Sequence, residues 1–241
     1  PDVLAADVLA IDAATRGMPA NRATATAERV FANYRDTRVF YKKIDALLRG
    51  HVGPELAAML RDAAPAVAVM APALPAQGRV TIDGCQWLHG ERVAGADARR
   101  ILEAAGLTPA VVGADVVRGG QLLREMMNLA KRADVLICDA ETDDDLRAIA
   151  EAIPALPREA VWVGSAGLAR HIPAALGIGG TRPAEDAPGF RGSILTVVGS
   201  QSPVAHAQAR EVGRIPGMSS IWVTAGELRS GSSLALDLSS D

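Results

Sequence analysis

The chain has 241 residues, 49% of them hydrophobic and 22% charged, with 25 basic against 28 acidic side chains and a formal charge of −3. That length buries a sizeable core as one large or two small domains, and the mild acidity argues against a general nucleic-acid or anionic-membrane surface. Cys85 and Cys138 stand in no disulfide or zinc-like spacing and read as half-buried thiols in a reducing cytoplasm; no apolar run reaches the roughly 18–20 residues of a spanning helix.

From the N-terminus, "ADVLAID" (6–12) reads as a strand and the Ala-rich "NRATATAERVFANY" (21–34) as a helix. "RVFYKKI" (38–44) is a strand, followed by a helix "GPELAAMLRDAA" (53–64) that has Pro54 in its first turn and Leu56, Met59 and Leu60 on one face. "AVAVMA" (66–71) has the continuous apolarity of a buried strand, and "VTIDGCQWL" (80–88) carries an Asp-Gly turn between apolar flanks, a hairpin. "DARRILEAAG" and "QLLREMMNLAKRA" are helical, "DVLICDA" (134–140) is a strand, and "TDDDLRAIAEAI" (142–153) is a helix. Thr142 with Asp145 gives that helix a capping-box start, weakened by Asp where Glu or Gln is usual. "AVWVGS" (160–165) is a further strand, with helical "GLARHIPAAL" after it.

Strand alternating with helix predicts an α/β fold with a mostly parallel sheet, whose ligands sit beyond the carboxyl ends of the strands. The Gly- and Pro-rich "GIGGTRPAEDAPGFRGS" (177–193) reads as a boundary. It separates a first domain over 1–180 from the start of a second α/β unit over 190–241: strand "ILTVVGSQS" (194–202), helix "PVAHAQAREVG", strand "SIWVTA" (220–225). The chain opens on Pro1 and closes on the strand-like "LALDLSSD", so a fragment is expected.

Four turns carry chemistry. In "YKKIDALLRGHVGPEL" (41–56), Lys43, Asp45 and Arg49 gather at a strand's carboxyl end, with Gly50 and Gly53 allowing close backbone approach. A small anion fits this density of charge; a salt-bridge cluster capping a helix is the alternative. In "APALPAQGRVTIDG" (71–84), two prolines stiffen a turn that presents Gln77, Gly78 and Arg79, suited to hydroxyls and a carboxylate, or an ordinary proline-rich turn. "VGSAGLARH" (163–171), with Ser165 and Gly167, and "VVGSQSPVAHAQ" (197–208), with Gly199, Ser200 and Ser202, are strand-to-helix turns whose amides could cradle an anion or simply cap the helix. No Walker A or dinucleotide glycine pattern occurs, which disfavours an α/β oxidoreductase. His51, His89, His171 and His206 have no ligand spacing, and the acidic run at 141–145 suits a helix's first turn better than a metal.

In order, "YKKIDALLRGHVGPEL", "APALPAQGR", "DAETDDDL" with "VGSAGLA", and "VVGSQSPVAHAQ" resemble the four-carbon acid sugar kinase family over nearly the whole chain. The resemblance implies a sugar-acid-binding domain followed by a nucleotide-binding domain, and transfer from ATP, with Mg2+, to the terminal hydroxyl of threonate, erythronate or an oxo-tetronate. A homodimer is compatible with it. It adds Arg16, in "IDAATR" (11–16), to Lys43, Asp45, Arg49, Gly50, Gln77, Gly78 and Arg79 as sugar-acid ligands, with Asp45 a candidate base. It makes Ser165, Gly167, Gly199, Ser200 and Ser202 nucleotide contacts. The family's opening Asp-Asp-Leu-Thr-Gly-Ala motif and its glycine-rich nucleotide loops are absent here, and Ala46 replaces a common Ser. A non-catalytic sugar-acid sensor is the alternative function. Either function requires guanidinium and ammonium groups, Lys43, Arg49 and Arg79, to converge on one hollow.

Overall fold

The computed structural model describes residues 8–62, 66–157, 159–178, 194–200 and 202–230. Five parallel strands form the central sheet in the order β1 (Tyr41–Lys43), β8 (Ala160–Gly164), β2 (Val67–Ala71), β7 (Val135–Cys138), β6 (Pro109–Val112). β2 and β7 are buried at every residue, which explains their unbroken apolar sequence. Because side chains alternate across a strand, Val67, Val69, Leu136 and Trp162 pack on one face, against α4 (Ala114–Arg118), α5 (Leu122–Leu129) and α6 (Asp143–Ala152). Ala68, Met70, Ile137 and Val163 pack on the other, against α1 (Ala20–Tyr34), α2 (Val52–Asp62) and α3 (Ala98–Glu103). Each large apolar side chain buried this way contributes roughly 1.5–3 kcal/mol. The mixed α/β architecture with a mostly parallel sheet is the expected one.

The Asp-Gly hairpin forms as β3 (Arg79–Ile82) and β4 (Cys85–Leu88), with Asp83 at φ 51° and Gly84 at φ 71°, the paired left-handed residues of a type I′ turn. It gains a third strand, β5 (Glu91–Asp97), that the sequence pattern did not announce. β6 was likewise unforeseen. The capping box of α6 is complete: Asp145 N donates to Thr142 Oγ1, and Thr142 N to the Asp145 carboxylate, so aspartate suffices there. β8 leads into the short helices α7 (Ala166–Ala169) and α8 (Ile172–Ala175).

Two expectations fail. Residues 8–14 form no strand: Val8 is 78% exposed, and Ala14 turns left-handed (φ 49°) into the 3-10 turn Thr15–Gly17, so the apolar run has no ladder partner. The chain divides into two compact units, 1–181 and 182–241. In the second, α9 (Pro203–Val212) and α10 (Ala225–Ser230) form, but 194–200 and 220–224 are not strands. Val197 is 82% and Trp222 59% exposed, and neither run pairs with another among the described residues; without a neighbour an apolar stretch gains no ladder hydrogen bonds. Most of the predicted boundary (179–193), the first two residues of the 6–12 run, Gln201 and the closing "LALDLSSD" lie outside the described residues.

Candidate functional site

The segment leaving β1 is pinned from below. Ile44 N extends the ladder to Gly164 O at 2.8 Å, and Ile44, Ala46 and Leu48 are buried. Asp45 then folds the chain back on itself, its Oδ2 accepting from Leu47 N (3.0 Å) and Arg49 N (3.3 Å). Gly50, at φ 97°, completes the turn in a conformation that other residues strain to adopt.

The same carboxylate gathers two guanidiniums. Arg49 grips it bidentately, Nε to Oδ2 at 2.9 Å and Nη2 to Oδ1 at 2.7 Å, while Arg16, from the Thr15–Gly17 turn, donates Nη2 to Oδ1 at 3.2 Å. The Asp45 side chain is 7% exposed, the arginines 59% and 62%. Burial pushes the Asp45 carboxyl up, but the Arg49 hydrogen bonds, the two amides and Arg49's charge together outweigh it and hold the group at about 2. Two positive charges over one negative leave the cluster net cationic. Asp45 uses the Nε/Nη2 edge of Arg49, and among the described residues the Nη1/Nη2 edge has no partner and can take a second carboxylate.

The two lysines of β1 part company. Lys42 Nζ pairs with Glu55, buried on α2, and Lys43 Nζ turns back to Ile44 O at 2.8 Å. Among the described residues Lys43 makes no hydrogen bond or ion pair with the Asp45–arginine cluster.

A second arm stands where β2 ends. The 3-10 turn Pro75–Gln77 and left-handed Gly78 (φ 64°) reverse the chain into β3, closed by Leu74 N to Arg79 O (2.8 Å) and Arg79 N to Leu74 O (3.2 Å). Arg79 Nη1 donates to Gln77 Oε1 at 2.7 Å, and its buried Nε has no partner among the described residues. His89, on the β4–β5 turn, lies so close to Gly78 that a Cβ there would stand 2.3 Å from Nδ1; its N donates to Gly78 O at 2.8 Å. Histidine counting by ligand spacing missed this placement.

Between the arms, Ser165 is 1% exposed. Its Oγ donates to Ala73 O (2.6 Å) and accepts from Gly167 N (3.0 Å), while its carbonyl accepts from Tyr41 Oη. These bonds use the groups expected of a ligand cradle, and Gly167 serves close packing: a Cβ there would lie 2.4 Å from Ala73 O. In the second unit Ser202 N donates to Ser200 Oγ at 3.2 Å ahead of α9, and Ser202 makes no side-chain cap. Gly199, Ser200 and Ser202 are exposed.

The structure thus joins Arg16, Asp45, Arg49 and Gly50 in one cluster and Gln77, Gly78 and Arg79 in another. Both lie at carboxyl ends of parallel strands, with β8 between β1 and β2. Two clefts, of about 720 and 450 Å3, lie beside β4, β5 and α3; none of Lys43, Arg49 and Arg79 lines either, so neither is the hollow expected to join those three residues. No group of three or more His, Cys, Asp or Glu able to hold a metal occurs among the described residues, and no helix there is long and apolar enough to cross a membrane.

Residues 2–172 match the family described as the sugar-binding N-terminal domain. A D-threonate kinase of Cupriavidus necator is 35% identical over 246 residues, covering 95% of this chain and 59% of that protein. A D-threonate kinase of Salmonella typhimurium is 31% identical, covering 84% and 50%; the chain spans about half the length of the curated relatives it matches. A Bordetella bronchiseptica domain of unknown function, crystallised with bound citrate as a domain-swapped dimer, superposes with a TM-score of 0.60 at 30% identity, over 73% of this chain and 45% of that one. The chain belongs to the four-carbon acid sugar kinase family, through a sugar-binding N-terminal domain that occupies residues 2–172.

Proposed function

We propose that this chain is the sugar-acid-binding part of an ATP-dependent kinase that phosphorylates the terminal hydroxyl of a four-carbon sugar acid such as threonate, erythronate or an oxo-tetronate. One observation carries the reading: Asp45 holds Arg16 and Arg49 side by side at the end of β1, with a free guanidinium edge facing outward, in a chain whose relatives are named D-threonate kinases. The citrate in the Bordetella relative, a hydroxylated carboxylate, is ligand chemistry of the same kind.

The chemistry asks this of the chain. Phosphoryl transfer to a hydroxyl is governed by positioning and charge. The free edge of Arg49, with Arg16, binds the substrate carboxylate. Gln77 and Arg79 meet its hydroxyls, and Gly78 keeps the backbone low enough for that approach. Asp45 is the fixed counter-charge that aligns both arginines rather than a base, because a carboxyl held at about 2 with both oxygens occupied accepts protons poorly at neutral pH. Exposed Gly199, Ser200 and Ser202 are the contribution toward ATP, which supplies the phosphoryl group; the donors of Ser165 and Gly167 are taken up internally and are left out of this role. Mg2+ accompanies ATP in this reading, yet no donor set among the described residues fits it, so no step runs through it. A homodimer agrees with the domain-swapped relative.

The test is turnover by the whole protein. ATP consumption should depend on added D-threonate, D-erythronate or an oxo-tetronate. Absence of turnover with all of them would defeat the kinase; binding without turnover would make the chain a sensor.

A further inference from the structure

Asp139 is a buried carboxylate that neither the sugar-acid arms nor any ion pair explains. It stands at the carboxyl end of β7, is 2% exposed, and no cation pairs with it among the described residues. Its two oxygens accept from the backbone of the β3–β4 turn, Oδ2 from Asp83 N at 2.7 Å and Oδ1 from Gly84 N at 2.9 Å. Beside it, Thr81 and Ala140 exchange both backbone hydrogen bonds (2.9 and 3.1 Å), the bridge between the hairpin and the parallel sheet. Thr81 and Gln86, both fully buried, bond to each other behind it. Gly84 packs so closely on the sheet that a Cβ there would lie 3.1 Å from Val111 Cγ2.

The strand clamped in this way is the one that begins with Arg79. Only Val80 separates Arg79 from the bridge at Thr81, and Asp139 grips the far end of the strand, so the strand can neither slide nor lift without breaking charge-assisted bonds. We infer that Asp139 is a positioning residue for sugar-acid binding: by clamping the Asp83–Gly84 turn it fixes the Gln77–Gly78–Arg79 arm relative to the Asp45–arginine cluster. The inference rests on the proposed sugar-acid site but concerns a residue that touches no substrate.

The clamp responds to pH. Burial raises the Asp139 carboxyl to about 6, against the pull of the Gly84 and Asp83 amides; the negative charges that reach it are Asp83, on the turn, and Glu141, further along its own segment. Protonation turns one of its oxygens into a donor and a much poorer acceptor, and removes the charge that strengthens both N–H bonds.

Asp139→Asn tests this in the whole protein, because asparagine keeps the shape but meets one of the two N–H groups with an amide of its own. Amide exchange across 77–84 should quicken about tenfold, and KM for the four-carbon acid should rise about tenfold, with kcat and the nucleotide KM unchanged. Wild-type affinity for the acid should fall as pH drops through about 6, and the variant's should not. Wild-type exchange and KM in the variant would overturn the inference, as would a loss in kcat alone. If the wild type takes no sugar acid at all, the kinase reading fails, and the exchange measurement by itself decides whether Asp139 holds the arm.

Discussion

Removing the Arg49 guanidinium separates binding from stability in a way that tests the site's central geometry. In Arg49→Ala, Asp45 keeps Arg16 and the amides of Leu47 and residue 49, so the carboxylate stays partnered but its pKa rises from about 2. Arg49 is 59% exposed, so solvent screens the lost pair to about 1 kcal/mol of folding stability at most. For a chain of this size that lowers Tm by roughly 2–4 °C. The effect on ligand should be larger. The free edge of Arg49 would make a charge-assisted contact to the substrate carboxylate, and losing it costs about 1.5–3 kcal/mol, or roughly 10- to 150-fold in Kd. Calorimetric titration with D-threonate and D-erythronate, alongside thermal melts of the free variants, measures both quantities. Arg49→Lys retains charge without the planar fork and should recover only part of the affinity. If Arg49→Ala binds the acids within about threefold of wild type, the carboxylate does not dock where we place it. If instead its free Tm collapses, Arg49 is a structural staple.

Three further outcomes are expected. The folded pKa of Asp45, about 2, lies below the ordinary carboxylate value near 3.9, so its stabilising contribution is present above pH ~4 and lost as pH falls through about 2; acid-unfolding curves of Asp45→Asn should be flatter in that window. Gly78→Ala places a side chain at φ 64° and 2.3 Å from the His89 ring, which is exposed and can swing aside; the backbone strain of about 1–2 kcal/mol remains, seen as a Tm loss of several degrees and weaker sugar-acid binding. Gly167→Ala meets the Ala73 carbonyl at 2.4 Å and Leu146 Cδ1 at 2.8 Å; backbone cannot step back, so the variant should lose roughly 3 kcal/mol or more, and a wild-type melt would show that α7 is not seated as described.

The sheet was legible where burial writes unbroken apolar runs, as in β2, β7 and β8, and where turn chemistry is explicit, as in the Asp-Gly of β3–β4. β5 was not, because "ERVAGAD" is mostly exposed, shifts register against β4 and contains Gly95 at φ 75°; its sequence carries neither alternation nor apolarity. The opposite error arose in the described part of the 6–12 run, residues 8–12, and in the second unit, where apolar composition alone was read as strand although pairing decides. At the site, charge density at the end of β1 identified Asp45 and Arg49 correctly as neighbours, and the resemblance supplied Arg16. What residue types could not reveal was direction. Lys42 and Lys43 look alike in the sequence, yet one is consumed by buried Glu55 and the other by its neighbour's carbonyl. Ser165 and Gly167 have the composition of a ligand cradle and the bonding of a joint.

That joint explains why β8 matters to a site it does not line. β8 enters the sheet between β1 and β2, so the ends of those two strands stand two strand spacings apart, about 10 Å. Ser165 ties β8 to the segment leaving β2, through its hydroxyl to Ala73, and to the first residue of β1, through its carbonyl to the Tyr41 hydroxyl. A spacing set by buried hydrogen bonds does not adjust to its ligand, because each bond broken in the interior leaves an unsatisfied group worth about 1–3 kcal/mol. Under the proposed sugar-acid function, selection for a short acid over a longer one would follow from this fixed spacing. Adding a negative charge to one arm, as in Gln77→Glu, should weaken affinity for all short acids alike, whereas Ser165→Ala, which removes the hydroxyl's bond to Ala73 O, should erode discrimination between four- and six-carbon acids. Unchanged discrimination in Ser165→Ala, measured by competition titration, would show that the spacing is fixed by something other than this latch.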